Sequence, residues 1–323
     1  MNIRKILFQS KELASLETIE EEDKPLAADE VAGRTLASVI SPGTELTSYR
    51  ADRTAPGGSG YASVFEVQAV GSAVKQFKPG DQAFCMGNHK SHQRVAEVDA
   101  VRVPDGLAAE RAVFTRLMGV SMSTLITTTA RPHSRVLVTG LGIVGHLAAQ
   151  IFQCAGYQVL ACDPVDSRRH LAVKNNVTNV LPAVPVEDPS VAGKIALCVE
   201  CSGHEQAVLD ACKVAQLRGE VVLVGVPWFR KTDLFAHDIL HAVFHRYVVL
   251  RSGWEWEVSR QPANFRNGSI QENLSGGMRW IAEGRIKLEG IYVKHHPRDA
   301  QVAYQKLLKM QDGLLTVVFD WTA

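Results

Sequence analysis

The chain has almost no excess charge of either sign: 35 Lys+Arg stand against 34 Asp+Glu over 323 residues, a net charge of +1. Without a basic surplus there is no counterion release to drive nucleic-acid binding and no polybasic tether for an anionic membrane. Long apolar runs are also missing, and none approaches the ~20 residues that a membrane-spanning helix requires. The first residues are charged but offer only Ile6-Leu7-Phe8 as an apolar run, too short for a secretory core, so no leader is expected. Cysteine is sparse: Cys85, Cys154, Cys162, Cys198, Cys201 and Cys212 do not make a disulfide framework in a chain of this length. These absences leave a cytoplasmic protein that handles a small molecule, with neither nucleic acid nor membrane as partner. At ~150 residues per domain the length predicts two domains.

Up to about residue 120 the chain reads as short strands broken by turns. Val64 to Val70 ends at Gly71, Lys78-Pro79-Gly80-Asp81 is a turn, and residues 82–86, 91–98 and 100–103 continue until Pro104-Asp105-Gly106. Such punctuation predicts a small β-barrel or sandwich. Beyond residue 110, Ala112, Val113, Leu117, Met118, Met122 and Leu125 recur at helical spacing. Short runs rich in β-branched residues then alternate with stretches long enough for helices, at 136–138, 158–162, 195–199, 221–224 and 247–250. That alternation predicts an α/β fold with a parallel sheet covered on both faces. The tail predicts helices over 272–283 and 299–310 and a strand over 315–319.

The strongest chemical signal is Val136-Leu137-Val138-Thr139-Gly140-Leu141-Gly142-Ile143-Val144-Gly145, a G-x-G-x-x-G between a strand and a helix. Gly140 permits the tight turn, Gly142 a close backbone approach to a pyrophosphate, and Gly145 tight strand–helix packing. The N–H groups of Ile143 and Val144 at the helix start face the phosphates. Asp163 ends the next strand, eighteen residues after Gly145, where a carboxylate accepts from ribose hydroxyls and repels a 2′-phosphate. NAD is therefore favoured over NADP, although Arg168 and Arg169 follow closely and arginine pairs well with phosphate.

With Val70-Gly71-Ser72-Ala73-Val74, Phe77-Lys78-Pro79-Gly80-Asp81, the Gly140 turn, Glu200-Cys201-Ser202-Gly203 and Gly219-Glu220-Val221-Val222-Leu223-Val224-Gly225 in order, the chain resembles the medium-chain dehydrogenase/reductase superfamily of alcohol dehydrogenase-like proteins. The resemblance runs from about residue 25 to the C-terminus. It implies a GroES-like β-barrel catalytic domain of residues 1–123 and 254–323 around a Rossmann domain, a doubly wound parallel sheet, of residues 124–253. It adds Ser202 and Gly225 to the cofactor-binding residues and implies a homodimer joined at an edge strand near residues 248–250. Zinc-using members carry Cys, His and Glu in their first two ligand turns. Here Ile40-Ser41-Pro42-Gly43-Thr44-Glu45 has Pro42 in place of the Cys, and Gly60-Tyr61-Ala62 has Tyr61 and Ala62 in place of the His and Glu. The third region, residues 115–119 around Arg116, offers no ligand, and the four-cysteine lobe is missing. The resemblance is thus to a zinc-free branch.

Without zinc, a carbonyl under reduction still needs a donor at its oxygen. Tyr61, Thr44 and His89 are the candidates: a phenol whose pKa Arg116 would lower, a hydroxyl where relatives keep a proton relay, and an imidazole after a strand bordering the cleft. Glu45 is expected to pair with an arginine and hold its turn. The pairs His89-x-x-His92 and Cys198-x-x-Cys201 read as loop and strand residues rather than as metal sites. His146 and His204 read as capping or surface residues, and His295-His296 as part of a turn. Trp254, Trp256 and Phe265 either line a cleft or fill a hinge. The expected activity is zinc-independent, NAD(H)-linked interconversion of a secondary alcohol and a ketone on a small polar metabolite. Its alternatives are an NADPH-dependent quinone or enoyl C=C reductase and a non-catalytic dinucleotide-binding protein.

Overall fold

The computed structural model describes residues 1–22, 24–310 and 313–322. The chain divides into two compact units. One comprises Met1–Arg116, Leu274–Glu283 and Gly290–Ala323, the other Leu117–Asn273 and Gly284–Glu289. The second unit extends beyond the expected 124–253 because the following residues bond back onto it. Arg251 pairs with Glu257 at 3.2 Å, and Asn273 donates to Ser123 Oγ at 3.3 Å. Gln150 and Asn175 hold the backbone of Lys287 and Glu289 at 2.7–3.1 Å.

The first unit is β-rich. Among the described residues its larger sheet runs Tyr292–His295, Thr316–Asp320, Glu30–Val39, Ser63–Val70, Gln82–Cys85 and Ala100–Arg102, with His92–Ala96 also paired to Glu30–Val39. Phe65, Val67, Phe77 and Ala83 fill one core of this unit. Phe8, Tyr49, Tyr304 and Phe319 fill another, in which Phe8 meets Tyr304 edge-on at 4.9 Å. Thr316–Asp320 lies antiparallel on Glu30–Val39, so the end of the chain supplies side chains to the neighbourhood of residues 38–45. The Ser41-Pro42 segment is a helix start as well as a turn. Ser41 occupies the N-cap and Pro42 the first position of the helix Pro42–Tyr49, where a missing N–H and a preset φ cost nothing.

In the second unit the strands Val180–Leu181, Gln158–Cys162, Arg135–Thr139, Ile195–Glu200, Ala215–Leu223 and Val249–Ser252 neighbour one another in that order, every pairing parallel. From Arg135–Thr139 the sheet grows outward first in one direction and then in the other, the doubly wound arrangement. Its direction changes between Arg135–Thr139 and Ile195–Glu200, and the crevice outside the carboxyl ends of those strands is where such sheets take ligands. All six residues of Ile195–Glu200 are buried, as a strand covered on both faces requires. Among the described residues no helix is long and apolar enough to cross a membrane.

Candidate functional site

In the second unit the glycine turn follows Arg135–Thr139 and opens the helix Ile143–Cys154. Gly140 has φ +80°, and a Cβ there would stand 2.8 Å from Ser202; a Cβ on Gly145 would stand 1.7 Å from the Gly140 carbonyl oxygen. A Cβ on Gly142, in contrast, would meet nothing within 4 Å. Gly142 is the N-cap and makes no side-chain cap, so the helix start presents its N–H groups to an open approach. That geometry fits a dinucleotide pyrophosphate.

Two buried carboxylates hold this turn. Glu200 Oε1 accepts the Ser202 N–H at 2.7 Å and the Gly203 N–H at 3.1 Å, the Thr139 hydroxyl at 3.2 Å, and the Ser202 hydroxyl. Burial pushes its pKa up and these donors oppose the rise. It ties the carboxyl ends of the two central strands together, a role that the quoted Glu-Cys-Ser-Gly motif did not disclose. Asp163 is only 2% exposed. It accepts the Leu141 N–H at 2.7 Å and the Val165 N–H at 2.8 Å, and Arg168 approaches to 3.4 Å. The expected ribose ligand is therefore already fastening the turn, with part of its acceptor capacity used. Arg169 is held by the Asp163 and Pro164 carbonyls and by Asp166. Gly225 approaches the Cys201 and Gly203 backbone so closely that a Cβ would stand 2.6 Å away. Lys231, not singled out in the sequence, donates to the Ser202 carbonyl at 2.8 Å and sets a cation beside the turn.

In the first unit the Tyr61 phenol lies beside the Ser41 and Thr44 side chains, and the Arg116 guanidinium lies over its ring, 4.7 Å from the centroid. Thr44 is exposed on the first turn of Pro42–Tyr49, while Arg116 is buried. The structure thus gathers Tyr61, Thr44 and Arg116. It corrects the expected titration, however: burial raises the Tyr61 pKa, and this outweighs the lowering by Arg116 and the two hydroxyls. Tyr61 remains a neutral phenol, a proton donor.

His89 lies elsewhere than expected. It is fully buried, with Nε2 3.1 Å from Glu45 Oε2 and Nδ1 2.8 Å from Ser38 Oγ. Trp321 donates to Ser38 at 2.9 Å, Tyr304 donates to Glu45 at 2.6 Å, and the Ser41 N–H donates to Glu45 Oε1 at 2.8 Å. A carboxylate only accepts, so the pattern assigns the His89 proton to Nε2 and makes the Ser38 hydroxyl donate to Nδ1. With both nitrogens engaged and no exposed edge, His89 is a positioning residue behind the Ser41–Glu45 turn and not a group that meets substrate. Glu45 holds its turn through Ser41, His89 and Tyr304, not through an arginine.

The zinc-ligand positions are thus occupied by a helix-opening proline, a phenol beneath a guanidinium, and the buried Ala62. No three His, Cys, Asp or Glu side chains come together as a metal site among the described residues. This donor set does not fit a zinc ion.

Residues 144–254 match a family model described as zinc-binding dehydrogenase. An alcohol dehydrogenase of Geobacillus stearothermophilus is 29% identical over 148 residues, 44% of this chain and 43% of that one, so the match spans less than half of that curated relative. Galactitol-1-phosphate dehydrogenase from Escherichia coli superposes with a TM-score of 0.80 at 15% identity, covering 98% of this chain and 99% of that one. The chain as a whole thus has the fold of these dehydrogenases, and residues 144–254 resemble the zinc-binding dehydrogenase family. Quinone oxidoreductase from Pseudomonas syringae pv. tomato has the same fold, with a TM-score of 0.79 at 17% identity over 99% of this chain and 100% of that one.

The remaining candidates are structural or exposed. All six cysteines are free, and burial raises the pKa of Cys198 and Cys201 well above the ordinary thiol value. His296 Nδ1 accepts the Arg298 N–H at 2.9 Å in the expected turn. His204 stands at the N-cap of Glu205–Val214 but its side chain makes no cap. His146 is not at the surface: it is fully buried, and neither ring nitrogen has a hydrogen-bond partner. Trp254, Trp256 and Phe265 are exposed.

Proposed function

We propose that this protein is a zinc-independent, NAD(H)-linked oxidoreductase that interconverts a secondary alcohol and a ketone on a small polar metabolite. The observation that carries the reading is Tyr61, a neutral phenol beside Ser41 and Thr44 under the Arg116 guanidinium, at the positions where the zinc-using proteins it resembles hold their metal. A nicotinamide dinucleotide held at the glycine turn would supply or accept the hydride. Tyr61 donates its proton to the carbonyl oxygen during reduction and is reprotonated through Thr44; during oxidation it passes its own proton to Thr44 as it takes the one from the substrate hydroxyl. Thr44, exposed to solvent, relays that proton, and the Arg116 charge stabilises the oxygen as it becomes negative. Ile143, Val144 and Gly145 receive the pyrophosphate at the helix start, with Ser202 and Gly225 along the neighbouring turns. Asp163 receives the adenosine ribose with the acceptor capacity it retains.

The chain acts in the cytoplasm, where its free thiols stay reduced. It pairs as a homodimer through Val249–Ser252, the open edge of the parallel sheet, where Val249 is exposed. Titration with NADH and NADPH, followed by nicotinamide fluorescence and repeated with Asp163→Ala, tests the cofactor. Tighter NADH binding that weakens in the variant supports the reading, and screening of alcohols and ketones follows. Binding of neither cofactor refutes it, and cofactor binding with no turnover on any alcohol or ketone leaves a non-catalytic binding protein.

One observation favours a second reading. Asp163 is partly committed to the turn, and Arg168 stands beside it at 3.4 Å, a placement that can serve a 2′-phosphate. Tighter NADPH binding that weakens in Arg168→Ala would make the protein an NADPH-dependent reductase of quinone or enoyl C=C bonds.

A further inference from the structure

The helix Ala236–Arg246 carries His237, His241 and His245. Four residues exceed one turn of an α-helix by ~40°, so the three imidazoles share a face and climb about 6 Å per step. Their ring centroids stand 5.9 Å apart for His237 and His241 and 4.2 Å apart for His241 and His245. All three are exposed and line a cavity of ≈ 820 Å³, with Lys213 of Glu205–Val214 on the other wall. The oxidoreductase reading uses none of them.

We propose that His241, paired with His237 or His245 one turn away, forms a bidentate site for a borderline divalent transition-metal ion, of the class Zn²⁺, Ni²⁺ or Cu²⁺, with water completing the coordination. Neutral imidazole suits these ions, whereas magnesium and calcium demand oxygen ligands. At Zn–N distances of about 2.0–2.1 Å, two tetrahedral ligand nitrogens lie roughly 3.3 Å apart. An imidazole nitrogen lies about 1.1 Å from its ring centroid, so two tetrahedral ligands hold their centroids about 5.2 Å apart; the 4.2 Å and 5.9 Å pairs each come near that spacing, and His241 belongs to both. His237 and His245 are about 12 Å apart along the axis, so the three cannot close on one ion. This agrees with the lack of a three-ligand group among the described residues.

The other charged groups facing the cavity set the strength. Lys213 is paired with Asp210 at 3.3 Å, and Arg246 donates to the Ala215 carbonyl at 2.9 Å. Asp238 also lines the cavity and partly offsets their charge. Two histidines beside two cations make a site of moderate affinity, far short of a structural zinc.

The test is calorimetric titration of the full chain with zinc chloride and nickel chloride at about pH 7.5 and about pH 5.5, where protons compete for imidazole. The expected result is about one ion per chain with a Kd in the micromolar range, weakened roughly tenfold or more by His241→Ala. His237→Ala and His245→Ala each leave one pair in place and change it by less than about threefold, and acidification abolishes binding. The three side chains are exposed, so the variants fold, which far-ultraviolet circular dichroism checks. The proposal is overturned if neither ion binds, if binding survives His241→Ala, or if it is unchanged when His237 and His245 are both replaced by alanine. It is also overturned if inorganic phosphate binds through these histidines and the metals do not.

Discussion

Replacing His146 by leucine should stabilise the protein, and by an amount that grows as the pH falls. The imidazole sits in Ile143–Cys154 with no exposure and no partner for either nitrogen. Water that solvates it in the unfolded chain is lost on folding without replacement. Leucine has similar bulk and no polar atom, so the variant recovers about 1–3 kcal/mol near neutral pH. Burial also lowers the folded pKa of His146 from 6.5 to about 4. Between those values the unfolded chain binds a proton that the folded chain refuses. Stability therefore falls as the pH drops through the unfolded value, and the loss levels off only below the folded one.

At pH 5 that proton costs about 2 kcal/mol relative to pH 7.5, rising towards ~3.4 kcal/mol only below the folded pKa, where both states are protonated. Urea unfolding of wild type and His146→Leu, at both pH values, reads the difference between the two differences. All other titrating groups are common to the pair and cancel. A stability gap wider by about 2 kcal/mol at the lower pH is expected. A gap of equal size at both would mean that the folded protein protonates His146 as easily as the unfolded chain, and the reasoning from burial would be wrong.

Tyr61→Phe removes the proposed proton donor and keeps the ring under Arg116. Ketone reduction should slow by about 10²–10⁴-fold while NADH affinity, read by nicotinamide fluorescence, stays as it was. Gly145→Ala places a methyl 1.7 Å from the Gly140 carbonyl oxygen. It should cost about 2–4 kcal/mol in urea unfolding and abolish NADH binding; a variant that still binds NADH tightly would show the turn to be irrelevant to the cofactor. His89→Ala leaves the buried Glu45 and Ser38 short of a partner, and unfolding should be easier by about 3–5 kcal/mol, with His89→Gln recovering part of the loss.

Periodicity and punctuation made the parallel sheet readable. The runs at 136–138, 158–162 and 195–199 correspond to Arg135–Thr139, Gln158–Cys162 and Ile195–Glu200, because strands buried on both faces need unbroken β-branched sequence. The glycine spacing was readable for a similar reason: Gly140 and Gly145 answer contacts made within a few residues of the turn and its neighbouring strand. Val180–Leu181 was not, since two residues carry no period. The helix Pro42–Tyr49 was missed, although Ser41 at an N-cap before Pro42 was the available signal.

What only the tertiary structure decided is the polar interior. Ser38, Glu45, His89, Tyr304 and Trp321 form one hydrogen-bonded group, yet they are scattered from the third strand of the chain to its last residues. No spacing rule joins them, because the antiparallel pairing of Thr316–Asp320 with Glu30–Val39 creates their proximity. The same holds for titration. Sequence placed Arg116 near Tyr61 in kind, but the sign of the Tyr61 shift depended on how deeply the phenol is buried. Desolvation is a property of the packed chain and of no single residue, so the amino-acid order determined the glycine turn and its flanking strand and helix, and folding decided which histidine, carboxylate and phenol remain free to act.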